Sequence, residues 1–153
     1  MRRPRLPKFL RSPEPFEPPR GLVLVDARNV QRSAWPNPSD SSFVEALEAW
    51  ALEQAPDEDV VAVFDGEPDA APDGPVLLVA TDYADDELVA RAIAAHAEGR
   101  SVRVATSDRA LRLRLEAAGA HISWGGGAML GELGFARRRG DGRGVPREGA
   151  AEE

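Results

Sequence analysis

The chain has 153 residues, 42% of them hydrophobic, which suits one globular domain with short flanking segments. It contains no cysteine, which excludes disulfides, a disulfide-linked partner, thiolate metal sites and a cysteine nucleophile; with only two histidines, any metal falls to oxygen ligands. The net charge of −7 is unevenly spread: residues 1–20 carry +4, residues 135–153 carry +1 and residues 21–134 carry −12, which argues against plain duplex DNA binding and fits a carboxylate-rich site offset by cations.

Residues 1–20 are basic and Pro-rich with little periodicity, and they read as a disordered arm. Their apolar stretch is too short and too broken by proline for a signal peptide, and no apolar run approaches the ~20 residues that span a membrane, so a cytoplasmic protein is the default. GLVLVD (21–26) is a short apolar run ending in Asp, a buried-strand pattern. A loop containing WPNPSD follows. Ser42 with Glu45 then makes an S-x-x-E capping box, opening a helix to about Gln54 with Phe43, Leu47, Trp50 and Ala51 on one face.

DVVAVFD (59–65) is a second apolar run ending in Asp, and the turn-rich GEPDAAPDGP leads to a third strand, VLLVAT (76–81). ADDELVARAIAAHAEG predicts a helix with Leu88, Ala92 and Ala95 on one side and Gly99 closing it. SVRVATSD (101–108) predicts a fourth strand and DRALRLRLEAAG a helix closed by Gly119. AHISW (120–124) predicts a last strand and GAMLGELGFARRR a final helix, before a polar, Gly-rich tail over 135–153 that reads as disordered. Strands alternating with helices predict a three-layer α/β domain over 21–134, with a mostly parallel sheet of about five strands.

Asp26, Asp65 and Asp108 each follow an apolar strand, and Asp85 and Asp86 open the helix after the third strand. In open parallel sheets the carboxyl edge is where ligands bind. Each aspartate also has a plain structural role open to it: Asp108 as a helix N-cap, Asp85 and Asp86 as partners of a helix dipole, Asp65 in a turn with Gly66. Together they would crowd one edge, where carboxylates repel unless protons or cations compensate them. Mg²⁺ or Mn²⁺ is the expected cofactor.

These segments resemble NYN domains of the PIN-like nuclease superfamily, in particular the YacP-like branch. LVDARNV looks like the opening strand with Asp followed three residues later by Asn. VVAVFDG resembles the second acidic strand, YADDELVARAI the A-D-[DE] helix start, RVATSDRALRLRLEAAGAHIS the V-x-T-S-D strand with its helix, and GAMLGEL the short helix near the end. The resemblance spans about 21–134 in order and implies a PIN-like fold with Mg²⁺- or Mn²⁺-dependent RNA cleavage, in one branch on ribosome-associated mRNA.

Carried over by position, the resemblance makes Asp26, Asp65, Asp85 and Asp108 the metal site, with Asp86 auxiliary and Asn29 bonded to the site or the phosphate. Thr106 and Ser107 hydroxyls orient carboxylates or touch phosphate. The implied chemistry is metal-assisted hydrolysis by water, with no protein nucleophile.

Ala27-Arg28 stands where the family has a Gly-aromatic pair. A positive φ at Ala27 would be strained. Arg28 either contacts phosphate or pairs with Asp26 and displaces a metal. Ala27-Arg28 makes a catalytically silent RNA- or ribosome-binding module one competing function, and the PIN-like resemblance implies another, a toxin-like nuclease held by a partner.

Arg103, Arg109, Arg112 and Arg114 lie near the Asp108 strand end and read either as an RNA-backbone grip or as a solvated helix face. Arg137–Arg139 and the N-terminal arginines add nonspecific RNA affinity or simply solubility. Trp35 reads as loop packing or base stacking, Trp50 and Trp124 as core, and His96 and His121 as structural. Gly125–Gly127 lacks the phosphate-loop pattern, and Arg28 at +2 from Asp26 disfavours a haloacid-dehalogenase-type phosphatase.

Overall fold

The computed structural model describes residues 18–135. The expected terminal arm and tail therefore lie almost wholly outside the described residues, as do Arg137–Arg139. Five strands form one sheet, β1 (Gly21–Asp26), β2 (Glu58–Asp65), β3 (Val76–Thr81), β4 (Val102–Ala105) and β5 (His121–Trp124), in the spatial order β3-β2-β1-β4-β5 with every pairing parallel. The helices are α1 (Ala27–Gln31), α2 (Asp40–Gln54), α3 (Ala84–Ala97), α4 (Arg109–Ala117) and α5 (Gly126–Glu132).

β1 is central and all six of its residues are buried, which is why GLVLV carries no polar alternation. Val23 and Val25 face one layer with Phe43, Leu47, Phe64, Met129 and Leu130, from α2, α5 and β2. Leu22 and Leu24 face the other with Leu88, Ala92, Leu111 and Leu115, from α3 and α4. One period-2 strand thus feeds two cores, and the layers are helix, sheet, helix. Trp50 is core as expected, edge-on to the half-buried Trp124 at 5.5 Å, and its Nε1 donates to Glu132 at 3.0 Å.

The structure corrects four local expectations. The loop expected after β1 begins instead with α1, entered straight from Asp26, so buried Ala27 is helical and carries no positive-φ strain. Ser39, not Ser42, caps α2: its hydroxyl accepts from the Ser42 backbone N–H at 3.1 Å, which places Ser42 inside the first turn. β4 stops at Ala105, because Thr106-Ser107-Asp108 turns away to cap α4. The final helix ends at Glu132, followed by Gly134 at φ +91°.

The β2–β3 connection has no helix. It is pinned to α2, whose Asp40 and Glu48 carboxylates accept the backbone N–H groups of Asp69 (2.7 Å) and Asp73 (3.3 Å). No helix among the described residues is long and apolar enough to cross a membrane.

Candidate active site

The strand order reverses between β1 and β4, and a crevice at that switch point, outside the carboxyl ends of the strands, is where this architecture binds ligands. Asp26 ends β1 there. It is 8% exposed, and its Oδ2 accepts the Thr106 hydroxyl at 2.7 Å. Thr106 is fully buried just past β4, and its Oγ1 in turn accepts the Asp108 backbone N–H at 3.1 Å. Thr106 therefore couples the two aspartates, one through its side chain and one through its backbone.

Asp108 also performs the plain role open to it, as its Oδ1 accepts the Leu111 N–H at 2.9 Å and caps α4. Asn29 bonds within the site: its Oδ1 accepts the Ser107 N–H at 2.8 Å, tying α1 to the turn that carries Asp108. Ser107 Oγ accepts the Gly126 N–H at 2.6 Å and so holds the start of α5. Gly126 is required here, because a Cβ would fall on the Ser33 hydroxyl and within 3.2 Å of the Asn29 carbonyl.

Asp65 is exposed at the end of β2. With Asp82, Tyr83, Asp85, Asp86 and Arg114 it lines an open cleft of about 310 Å³. Asp86 forms an exposed ion pair with Arg114 at 2.9 Å. The charge distribution links this cleft to the switch point. Burial, with repulsion from Asp85 and Asp108, raises Asp26 to about 6, against the hydrogen bond from Thr106 and the charge of Arg32. Asp85 is raised by burial and then by Asp108, Asp86 and Asp65, with Arg114 opposing.

Among the described residues, no three His, Asp or Glu side chains are close enough to enclose one ion. The five aspartates thus form a field of mutually repelling carboxylates rather than a ready-made cage. The donor chemistry still fits a hard divalent cation. All donors are oxygen, Mg²⁺ keeps several waters and takes one or two carboxylates, and the mutual repulsion that raises Asp26 and Asp85 is what a cation would offset.

Arg28 settles neither of the two ways the sequence left open. Its Nη1 donates to Asp40 at 2.7 Å and to Gln31 at 3.0 Å, and its guanidinium stacks on Phe64 at 5.0 Å and reaches the carbonyls of Asp65 and Glu67 at 3.4 Å. It makes no ion pair with Asp26, and its donors are engaged by protein rather than turned to a phosphate. Arg103 is also no backbone grip, since it forks onto Glu58 at 2.6 and 2.9 Å and lies over Trp124 at 4.7 Å. Arg109 and Arg112 are exposed at the start of α4, without an ion pair among the described residues.

Trp35 is 68% exposed, so packing does not account for it. His96 and His121 are exposed, at the end of α3 and the start of β5, away from the aspartate edge. Sequence reasoning passed over Arg32, Asp82 and Tyr83. The Tyr in Y-A-D-D was the one visible signal, an aromatic two residues before an acidic pair.

Thr106→Val keeps the shape and removes the hydroxyl. It is expected to destabilise the protein by about 1–2 kcal/mol, because the Asp108 N–H and Asp26 Oδ2 lose their partner inside the fold. The loss should be larger at pH 7, where Asp26 is ionised, than at pH 5, where it is mostly protonated. Thermal melts at the two pH values check this, and equal losses would show that the hydroxyl does not serve the charged carboxylate.

No protein-family model and no curated protein matches the chain. Among solved structures it is similar to Rae1 (YacP) from Bacillus subtilis, at 21% identity and a TM-score of 0.58 over 74% of this chain and 73% of that one. It is also similar to a single-residue mutant of the same protein, at 24% identity and a TM-score of 0.54 over 74% of each chain. The five-stranded parallel sheet in the order β3-β2-β1-β4-β5, with helices on both faces, is the fold shared with Rae1 (YacP).

Proposed function

We propose that the protein is a Mg²⁺- or Mn²⁺-dependent endoribonuclease that hydrolyses RNA phosphodiester bonds. The observation that carries this reading is the buried Asp26 at the switch point, raised to about 6 in a field of carboxylates shared with Asp85 and Asp108. Such an arrangement is unfavourable for folding and is of use where a cation and a phosphate are to be held.

A divalent cation bound there supplies Lewis acidity toward the phosphate and lowers the pKa of the attacking water. In this reading Asp26, Asp65, Asp85 and Asp108 would hold the cation. Thr106 fixes the Asp26 rotamer, Asn29 holds the turn that carries Asp108, and Asp86 is kept auxiliary by Arg114. Arg109 and Arg112 at the start of α4, exposed and without an ion pair among the described residues, are cations for the RNA backbone. The engagement of Arg28 by Asp40 supports activity over the silent module, because the cation that would have competed with a metal is held elsewhere. From the resemblance of its sequence motifs to the YacP-like branch, ribosome-associated mRNA is the proposed substrate, and the cytoplasm is the proposed compartment.

The test is cleavage of a mixed RNA pool with Mn²⁺, Mg²⁺ or EDTA, comparing wild type with Asp108→Asn. Cutting that needs the metal and falls about 100-fold or more in the variant is expected. Asn retains an oxygen for the Leu111 N–H, so the variant keeps its cap. RNA binding without any cutting by the wild type would replace this reading with the binding module.

A further inference from the structure

Tyr83 is the only tyrosine in the chain and is 72% exposed. It belongs to neither hydrophobic core. Its backbone is nonetheless fixed: the N–H donates to Thr81 Oγ1 at 3.1 Å and the carbonyl accepts from Glu87 at 3.0 Å, at the residue that caps α3. The phenol makes no hydrogen bond among the described residues. A large ring on a rigid support, giving nothing to the core, stands in the wall of the same cleft as Asp65, Asp85 and Asp86.

The other groups lining that cleft narrow the choice of occupant. An apolar ligand would strip water from four aspartates at a high cost, and Arg114 adds one cation, so the ring is the single stacking surface in a polar cleft. A nucleotide joins what these groups separately suit, a π-face for the ring and a phosphate for a cation held by carboxylates. In a duplex both faces of each base are already covered by neighbours, whereas an unpaired base has a face to offer.

We infer that Tyr83 is the stacking platform for one unpaired base of single-stranded RNA, next to the phosphate that the aspartates engage. This rests on the nuclease reading for the nature of the ligand, and it assigns that site a preference for unpaired over duplex RNA. Tyr83 is a specificity-determining residue in this assignment.

The test reads binding apart from turnover. Fluorescence anisotropy of a short labelled single-stranded RNA is measured in Mn²⁺ with Asp108→Asn alone and with Tyr83→Phe or Tyr83→Leu added. The Phe variant should bind within about 2-fold of its parent and the Leu variant about 10-fold more weakly. An RNA abasic at each position in turn should, at one position, lose the same factor with Tyr83 and nothing further with Leu. Affinity for a duplex of the same sequence should not change with residue 83. Thermal melts of the Leu variant should match the parent, since the ring is exposed.

Equal binding of single strands by Leu and Tyr variants would overturn the inference, as would an equal loss on duplex or no RNA binding at all. So would an Arg-rich peptide whose binding depends on residue 83 while RNA binding does not. If Tyr83-dependent binding holds while the wild type never cleaves, the nuclease reading falls and the platform stands; cleavage of single-stranded RNA indifferent to residue 83 gives the reverse.

Discussion

Asp26→Asn is expected to abolish cleavage and, at pH 7 without metal, to make the protein more stable. The carboxyl lies at about 6 in the folded state against 3.8 in the unfolded chain, so the folded state binds the extra proton between these values. The stability this group contributes is full below the unfolded value and is lost as pH rises through 6, about 2–3 kcal/mol in all. Asn imitates the protonated acid, keeping an oxygen for the Thr106 hydroxyl and carrying no charge to be repelled by Asp85 and Asp108.

Melts in EDTA should therefore place the variant about 5 °C above wild type at pH 7, with the gap narrowing as pH falls and closing only below the unfolded value of 3.8. Mn²⁺ should raise the wild type at pH 7 and leave the variant where it is. Cleavage by the variant should fall about 100-fold or more. A variant less stable than wild type at pH 7 would mean that Asp26 is a structural carboxylate, and the field at the switch point would lose its functional meaning.

Asp40 is the opposite case. It accepts from Arg28, Gln31 and the Asp69 N–H, each at 2.7 Å. Burial pushes its carboxyl up, but the bonds from Gln31, Asp69 and Arg28 outweigh this and hold it below its ordinary value. Its stability is present above the unfolded value of 3.8 and is lost as pH falls through the lower folded value. For these two groups together, the metal-free protein is most stable on the acid side of neutrality, near the lower end of the Asp26 window.

Asp40→Ala should cost about 3 kcal/mol, because it leaves a largely buried guanidinium, the amide of buried Gln31 and a backbone N–H without their acceptor. Chemical denaturation at pH 7 measures it, and a loss under about 1 kcal/mol would show that water replaces the carboxylate. Activity should fall as well, since Arg28 reaches the carbonyls of Asp65 and Glu67 and so steadies the strand end that carries Asp65.

Local pattern determined much of this protein. Apolar runs too short for helices and ending in Asp specify β1 and β2, and the spacing of Leu88, Ala92 and Ala95 specifies α3, because burial of one face or two is written in period and length. Their alternation, read with the Y-A-D-D and T-S-D motifs, was enough for the YacP-like fold and for the edge where the aspartates gather.

The partner of each polar group was decided only by the tertiary structure. Thr106 lies 80 positions from Asp26, and only the pairing of β4 beside β1 brings its hydroxyl to that carboxylate. Arg28 is three carbonyl and carboxylate contacts away from a role at the phosphate because α2 sets Asp40, twelve positions on, beside it. Arg103, near the Asp108 strand end in sequence, is taken by Glu58 across the sheet. A side chain's charge and length belong to the sequence, but its acceptor is chosen by packing, since several are in reach of the unfolded chain and the fold leaves one.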